Sequence, residues 1–265
     1  IMTILTGHGT FAQEFLKGYG GRVVSIRTTP KKQFIAQVKQ AACIIHNAVN
    51  IDCDRLSACV SDNFYLTKYL LDLIHEVNPN VYFVYLSSMS ILKSDYVYDD
   101  VMNMTPYAYS KYLAETYCRL YPLKKYACVR FSTLYYKDYK KDGLSKLIYD
   151  AVKFKTITLY NNGAAKRDFL PLEIAAKYTH KIVNNFSGSN CLMNIVSAKQ
   201  TSFYGIASYL KRKIQDLSVL NKDMPSSPRI LSSFSDESIS KLGRIEFSLE
   251  KEIDDYIEKL ISDKV

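Results

Sequence analysis

Short apolar runs alternate with segments of helical periodicity over the first half of the chain. The longest periodic segment places Leu66, Leu70 and Ile74 on one face, as in a helix that packs against a core. The pattern predicts strands at residues 2–6, 22–27, 42–47, 81–86 and 126–131, and helices at 10–18, 31–40, 59–77 and 106–120. Strands alternating with helices of this length favour an α/β fold with a doubly wound parallel sheet.

The alternation becomes less regular after about residue 135. Helices are predicted at 143–154, 202–217 and 249–261, strands at 156–160 and 192–195, and a loop at 226–228. These elements are too irregular to extend the first pattern. We therefore expect a smaller C-terminal lobe over the carboxyl ends of the strands, where ligands bind in such sheets.

Composition excludes several classes of protein. No apolar run in the 265 residues approaches the roughly 18 that a membrane span needs. The first apolar run meets Gly7 at once and lacks the features of a secretion signal, so we expect a cytoplasmic protein. The net charge of +9 is spread along the chain, which argues against a nucleic-acid-binding role. The six cysteines and four histidines show no metal-ligand spacing, so we expect free thiols and no metal.

A glycine-rich segment, G-x-G-x-x-A, joins the first predicted strand to the first predicted helix. Gly7 allows a tight turn, Gly9 lets the backbone approach a pyrophosphate, and Ala12 permits close packing of helix on strand. Thr10 and Phe11 open the helix, whose free N–H groups favour an anion. We expect all of these except Ala12 to bind a dinucleotide.

This loop indicates how the chain is organised. Residues 1–135 are expected to form a dinucleotide-binding Rossmann core, and residues 136–265 the substrate-binding lobe. Segments near 156–180 and 190–197 are expected to return to the core.

The end of the second predicted strand indicates which dinucleotide binds. NAD-preferring proteins commonly carry an acidic residue there, whereas this chain has Arg27, followed by Lys31 and Lys32. A guanidinium can hold a ribose 2′-phosphate with two hydrogen bonds. We expect NADP rather than NAD, with a solvated strand-end arginine as the alternative.

A tyrosine and a lysine stand one helical turn apart at the start of a predicted helix. Tyr107 and Lys111 project from the same face, whereas Tyr109 points elsewhere. A phenol with a pKa of about 10 is a poor acid–base group at neutral pH, and a nearby ammonium lowers that pKa. Ser88 ends an apolar strand at the edge where ligands bind. We therefore expect Ser88, Tyr107 and Lys111 to act on one substrate oxygen.

Taken in order, these motifs resemble the extended short-chain dehydrogenase/reductases, the epimerase/dehydratase-like enzymes that act on sugar nucleotides. The resemblance runs through nearly the whole chain. Beyond the glycine loop and the Y-x-x-x-K pair, the matching positions are His46 and Ala48 beside the cofactor, Asn63 in the long helix, Leu86-Ser87-Ser88, Arg130 to Thr133, Arg167-Asp168-Phe169, and Asn194-Ile195 before Ser202.

The resemblance implies roles for these residues. It implies that Tyr107 is the general acid/base and that Asn63 also belongs to the catalytic set. It implies that Lys111 lowers the pKa of the tyrosine and holds the cofactor ribose. Ser88 would orient the substrate. Thr133 would lie in the substrate site, and Arg167 and Arg229 would contact the substrate diphosphate. Members commonly pair through their two long helices, so we expect a homodimer.

The chain also departs from the family pattern. The glycine loop is one residue shorter than the usual G-x-x-G-x-x-G, and Arg27 lies too close to Ile44 for the usual additional strand and helix. Thr133 replaces the asparagine of R-x-x-N, and Leu92-Lys93 replace a tyrosine-glycine pair. These departures affect substrate identity more than cofactor binding.

The residues after Ser88 narrow the reaction. The family's dehydratases carry an Asp-Glu pair there, whereas this chain has Met89 and Ser90. Epimerase-reductases use a cysteine at the position of Ser90 and an additional histidine, and no histidine occurs between His75 and His180. Dehydration and that type of epimerisation are therefore not expected.

Two reactions need only a serine, a tyrosine and a lysine. One is reduction of a nucleotide-linked 4-keto-(deoxy)sugar, in which hydride reaches the ketone carbon while Tyr107 protonates the alkoxide. The other is 4-epimerisation with tightly bound NAD. Arg27 favours the reductase, because NADPH is suited to a consumed reductant. A non-catalytic NADP-binding sensor or scaffold is a further alternative.

Overall fold

The fold is described from a computed structural model that covers residues 2–51, 55–224 and 234–262. The first half contains β1 (Thr3–Leu5), α1 (Thr10–Tyr19), β2 (Arg22–Val23), α2 (Lys31–Gln40), β3 (Cys43–His46), α3 (Leu56–Cys59), a π-helical segment (Val60–Tyr65), α4 (Leu66–Val77), β4 (Tyr82–Ser88), β5 (Leu92–Ser94), β6 (Val97–Tyr98), α5 (Pro106–Leu120), β7 (Tyr126–Phe131) and β8 (Thr133–Tyr135). The second half contains α6 (Gly143–Phe154), β9 (Thr156–Tyr160), β10 (Lys166–Pro171), α7 (Leu172–Phe186), β11 (Cys191–Ile195), β12 (Gln200–Ser202), α8 (Phe203–Lys213), β13 (Ser218–Lys222), α9 (Glu237–Leu242) and α10 (Leu249–Ser262).

The main sheet confirms the predicted α/β fold class. Its strand order is β11-β7-β4-β3-β1-β2, and every neighbouring pair is parallel. All four residues of β3 are buried, as expected for a parallel strand covered on both faces. A single crossover helix, α2, connects β2 to β3, so the sheet ends at β2 in the described part of the chain.

The central strand β4 shows how the two faces are covered. Tyr82, Val84 and Leu86 belong to a hydrophobic cluster that contains residues of α1 and α7, whereas Phe83 and Tyr85 belong to a second cluster with residues of α2, α4 and α5. This alternation follows the two-residue period of a strand. The carboxyl end of β4, where Ser88 lies, is therefore held from both sides.

A further hydrophobic cluster lies in the second half of the chain and packs α6, α8 and α10 together with β9. Strand β9 pairs with β13, and β10 lies between β8 and β12. Strand β11 joins the main sheet, and α7 packs against α1. The chain thus returns to the main sheet after β10.

Several predicted elements differ from the structure. Strand β2 ends at Val23 rather than at 27, because the Ser25 hydroxyl accepts N–H groups of the following turn. The helix predicted at 59–77 begins at Leu56 and includes the π-helical segment. The helix predicted at 202–217 ends at Lys213. The sequence analysis missed β10, α7 and β13, although α7 has a clear apolar period.

Four other expectations concern the cysteines, membrane spans, metal sites and a loop. Cys59 is disulfide-bonded, so the expectation of six free thiols is wrong for that residue, whereas Cys43, Cys118, Cys128 and Cys191 are free. Every helix in the described ranges is too short or too polar to cross a bilayer. Within these ranges, no group of three histidine, cysteine or acidic side chains is placed to hold a metal ion. The loop predicted at 226–228 lies outside the described residues.

Candidate active site

The glycine loop leaves the start of α1 open to an anion. Helix α1 begins after Gly9, no side chain caps its first turn, and that turn has no acidic residue. A Cβ added at Gly9 would meet nothing within 4 Å, whereas one at Gly7 would lie 3.0 Å from the Cα of Ala48. Gly7 is thus needed for the close contact with Ala48, and Gly9 keeps the approach to the free N–H groups clear. This geometry fits the diphosphate of a dinucleotide.

Asn47 holds the loop in place, a role that the sequence analysis missed. Its Oδ1 accepts the Gly7 N–H at 2.9 Å, and its Nδ2 donates to the Gly7 carbonyl at 3.0 Å. The side-chain amide therefore pairs with Gly7 as a neighbouring strand would. Its position just after β3, beside the loop, was the only available signal in the sequence.

We expect Asn47→Ala to weaken NAD binding by roughly tenfold, because the loop loses two hydrogen bonds that order it before the cofactor arrives. Isothermal titration of NAD measures the effect. Asn184→Ala is the matched control, because the exposed Asn184 amide contacts only the half-buried His180 ring among the contacts described. An unchanged dissociation constant for Asn47→Ala would contradict the assigned role.

His46 is a buried, neutral support of this loop. Its Nδ1 lies 2.7 Å from the Thr6 hydroxyl, and its Nε2 lies 2.9 Å from the Thr67 hydroxyl. Burial lowers the pKa of His46 to about 3, and the positive charges of Lys111 and Arg27 act in the same direction. Both ring nitrogens are thus engaged within the protein. The predicted contribution of His46 to cofactor binding would act through the position of β3 and Ala48.

The start of α5 brings two of the predicted catalytic residues to the end of β4. The Thr105 hydroxyl accepts the Ala108 N–H at 3.2 Å, and Pro106 occupies the first helical turn, so the helix begins where the sequence predicts. The Ser88 side chain lies near the Tyr107 phenol, close enough to lower the pKa of that phenol. Ser88 also donates to the Ser90 hydroxyl at 2.9 Å. The phenol and the strand-end hydroxyl therefore meet, as the sequence analysis expects.

Lys111, one helical turn after Tyr107, contacts the same strand, β4. Its buried Nζ donates to the Leu86 carbonyl, two residues before Ser88, at 2.5 Å. Burial lowers the pKa of Lys111 to about 8. The ammonium is therefore present below about pH 8 and is lost as the pH rises through that value.

Burial also controls the pKa of the phenol. It raises the pKa of Tyr107 to about 12, and the Ser88 side chain acts in the opposite direction. The prediction that the Lys111 ammonium lowers this pKa is wrong for the structure, in which the loss of hydration raises the pKa and Ser88, not Lys111, opposes the rise.

A cleft of about 150 Å³ adjoins the Ser88 hydroxyl. Ser90, Thr133 and Arg167 line it, together with apolar atoms of Met89 and Phe131. The structure thus gathers three predicted substrate residues, Ser88, Thr133 and Arg167, at one place. Arg229, the fourth, lies outside the described residues.

Comparison with known proteins identifies the family. The NAD dependent epimerase/dehydratase family matches residues 11–195, more than half of the chain. The chain belongs to this family. The suspected resemblance is confirmed, as is the expectation of a nicotinamide-dependent enzyme of the extended short-chain type. None of the curated protein sequences matches the chain.

Solved structures of similar fold agree with the family. MoeE5, solved with UDP-glucose and NAD, superposes with a TM-score of 0.81 at 16% identity, over 100% of both chains. The UDP-glucuronic acid 4-epimerase from Bacillus cereus has a TM-score of 0.77 at 19% identity, over 98% of this chain and 100% of its own. TunA, an NDP-hexosamine 5,6-dehydratase, has a TM-score of 0.80 at 16% identity, over 98% and 97%. At these identities the likeness shows the fold.

In this family member, Asn63 contacts the Ser110 side chain of α5. It lies in the π-helical segment, where its Nδ2 donates to the Ser110 hydroxyl at 2.9 Å and its Oδ1 accepts the Asn50 N–H at 2.7 Å. Ser110 in turn donates to the Tyr107 carbonyl at 2.8 Å. The structure thus links Asn63 to the main chain of Tyr107 through Ser110, and it fixes the loop that ends at Asn50.

Arg27 lies close to the glycine loop. The N–H of Ile26 donates to the Thr6 carbonyl at 3.0 Å, which brings Arg27 close to the glycine loop. Its guanidinium is exposed and donates to the Asp62 carbonyl at 3.1 Å. The side chain therefore spans from the end of β2 toward the π-helical segment, and its outer face meets solvent.

Asp168 supports the arginine that precedes it. Its carboxylate is buried and accepts the Ser197 and Ala198 N–H groups, each at 2.8 Å. Burial raises the pKa of Asp168, and these hydrogen bonds lower it. The R-D-F motif of the family thus uses its aspartate to fasten β10 to the turn after β11. This contact fixes the strand that carries Arg167.

A buried ion pair joins α5, which carries Tyr107, to the main sheet. Arg130 on β7 donates from Nε to Glu115 of α5 at 2.9 Å, and both side chains are fully buried. Tyr98 donates to Glu115 at 2.8 Å and accepts from Arg130 at 3.0 Å. The family pattern indicated Arg130, whereas the sequence analysis missed Glu115 and Tyr98. These contacts hold α5, and with it Tyr107, against β7.

Proposed function

We propose that the protein interconverts the C-4 epimers of a nucleotide-linked sugar and keeps NAD bound throughout turnover. The observation that supports this most is the composition of the cleft beside Ser88. Its described lining contains hydroxyls, apolar groups and Arg167, but no carboxylate, cysteine or histidine. Tyr107 is not part of this lining but lies beside Ser88, and it is the group that we propose for proton transfer, which suffices for oxidation and reduction at a single carbon.

Each residue has a role in this chemistry. As tyrosinate, Tyr107 takes the proton of the sugar hydroxyl during oxidation and returns it during reduction, while Ser88 donates a hydrogen bond to the same oxygen. Lys111 would hold the cofactor ribose through its ammonium. A bound nicotinamide would supply the hydride acceptor for that carbon and the hydride donor for its reduction.

The substrate class is proposed from the neighbouring structures and from the arginines. MoeE5 was solved with UDP-glucose and with UDP-glucuronic acid, and the Bacillus cereus enzyme with UDP-glucuronic acid. Arg167 supplies a cation at the cleft for a diphosphate or a carboxylate. We propose that the main sheet binds the cofactor, with a core spanning residues 1–135, and that residues 136–265 bind the nucleotide.

A reductase of a nucleotide-linked 4-keto-(deoxy)sugar is the second candidate. Arg27 favours it, because its exposed guanidinium stands beside the glycine loop where it would meet a ribose 2′-phosphate. Preference for NADP would accompany this activity. The same Tyr107, Ser88 and Lys111 would serve, with hydride transfer in one direction only.

A cytoplasmic homodimer completes the proposal. Tyr65 and Tyr69 are 59% and 40% exposed on the π-helical segment and α4, and Leu120 is 80% exposed on α5. Apolar surface on the two long helices is suited to pairing with a second copy of the chain. A cytoplasmic location fits a protein that uses soluble dinucleotides and nucleotide sugars.

One assay distinguishes the candidates. The purified protein is incubated with UDP-glucose or UDP-glucuronic acid, and in parallel with NADPH and a set of nucleotide 4-keto-sugars. An epimerase produces the C-4 epimer, seen by chromatography, with no net change at 340 nm. A reductase oxidises NADPH instead, and a sensor binds dinucleotide without turnover. Stoichiometric NADPH oxidation without epimer formation would overturn the epimerase proposal.

A further inference from the structure

The ammonium of Lys111 lies over an aromatic ring. Its Nζ is 4.3 Å from the centroid of Tyr85, and it donates to the carbonyl of Leu86, the next residue on β4. Both Lys111 and Tyr85 are almost completely buried. A buried cation so close to a ring centroid is stabilised by the electron-rich face of that ring.

The ring of Tyr85 rather than its hydroxyl makes this contact. The hydroxyl is buried and has no hydrogen-bond partner among the described residues, which is unfavourable for a polar group. The ring also packs 5.9 Å from the imidazole of His46. The described contacts of Tyr85 are therefore those that phenylalanine would retain.

The other groups around Lys111 provide little negative charge. His46 on β3 is neutral, and burial raises the pKa values of the Cys118 and Cys128 thiols, so both stay protonated at neutral pH. Glu115, one turn along α5, is engaged by the guanidinium of Arg130. The Tyr107 phenol is also protonated near neutral pH. The Leu86 carbonyl and the Tyr85 ring are thus the immediate partners of the charge.

We propose that Tyr85 is a positioning residue, whose ring face keeps the Lys111 ammonium charged and aimed toward the cofactor ribose. This inference rests on the proposed function for the role of Lys111. It assigns to β4 a second task beside carrying Ser88. Tyr85 and Leu86 of this strand contact the Lys111 ammonium. Ser88, the last residue of the strand, carries the hydroxyl that we propose donates to the substrate oxygen.

The test is the pH dependence of NAD affinity, measured by titration between pH 6.5 and 9.5. In the wild type, affinity should fall as the pH rises through about 8, because the Lys111 ammonium is lost. Tyr85→Phe should keep this midpoint. Tyr85→Leu should move it lower by about half a unit to one and a half units, the shift expected when a desolvated cation loses its ring.

Phe83→Leu is the matched control. Phe83 lies two residues earlier on the same face of β4, in the same cluster, and also packs against His46. It should lose stability without moving the midpoint. If Tyr85→Leu does not fold, Tyr85→Met replaces it, because methionine fills similar volume without a ring. A wild-type midpoint in the Leu or Met variant, or an equal shift in Phe83→Leu, overturns the inference.

Failure of the Tyr85 inference can be distinguished from failure of the proposed function. NAD affinity does not depend on which sugar is the substrate. Absence of turnover with every nucleotide sugar, combined with the expected shift in Tyr85→Leu, would refute the proposed reaction and support the role of Tyr85. Turnover with a nucleotide sugar, combined with an unshifted midpoint in Tyr85→Leu, would support the proposed reaction and refute the role of Tyr85.

Discussion

Replacing Tyr107 with phenylalanine is expected to slow turnover by about 10²–10⁴ while the fold and NAD binding survive. Phenylalanine keeps the ring that packs at the start of α5 but cannot give or take a proton. The interaction of the phenol with the Ser88 side chain, which lowers the phenol pKa, is lost as well. Because the affected step is chemical, kcat should carry most of the loss, with little change in the KM of the nucleotide sugar.

The control is Tyr109→Phe, two residues along the same helix. Tyr109 projects from a different face of α5 and packs against the Tyr112 ring. Its variant should therefore turn over at close to the wild-type rate. Steady-state assays of both variants, with circular dichroism to verify the fold, make the comparison. A Tyr107→Phe enzyme with wild-type kcat would remove Tyr107 from the mechanism.

The strongest local signals predicted the elements that carry the site. Helix α5 begins at Pro106 as expected, because Thr105 and Pro106 form a sequence-visible start. Strand β7 and helices α2 and α6 also have their predicted bounds. Ser88 and Tyr107 were expected to meet because the carboxyl end of a parallel strand faces the start of the following helix. For these two residues, local sequence and sheet topology were sufficient to predict that they lie close together.

The supporting contacts were not predictable in the same way. Asn47 pairs with Gly7, forty residues earlier, and this pairing depends on how close two loops come in the folded chain. Ion pairing of Glu115 with Arg130 likewise requires that α5 and β7 pack at one particular register. The π-helical turn that carries Asn63 has no periodic signature over six residues. Tertiary packing, rather than propensity, determines these features.

Arg130→Met is expected to lower the free energy of unfolding by about 3–5 kcal/mol, because the Glu115 carboxylate stays buried without its cation. Tyr98 alone would then hydrogen-bond to that carboxylate. The double variant Arg130→Met/Glu115→Leu should recover most of the loss, since no charge remains buried. Urea unfolding of the three proteins, with m values compared, measures both effects.

A surface pair provides the control for this experiment. Lys146 and Asp150 form an exposed i, i+4 pair on α6, and Lys146→Met should change the free energy of unfolding by less than about 1 kcal/mol. If the double variant were no more stable than Arg130→Met, loss of packing rather than an uncompensated charge would explain the defect. Recovery of stability without recovery of kcat would mean that the pair also sets the position of α5, and therefore the distance of Tyr107 from the substrate oxygen.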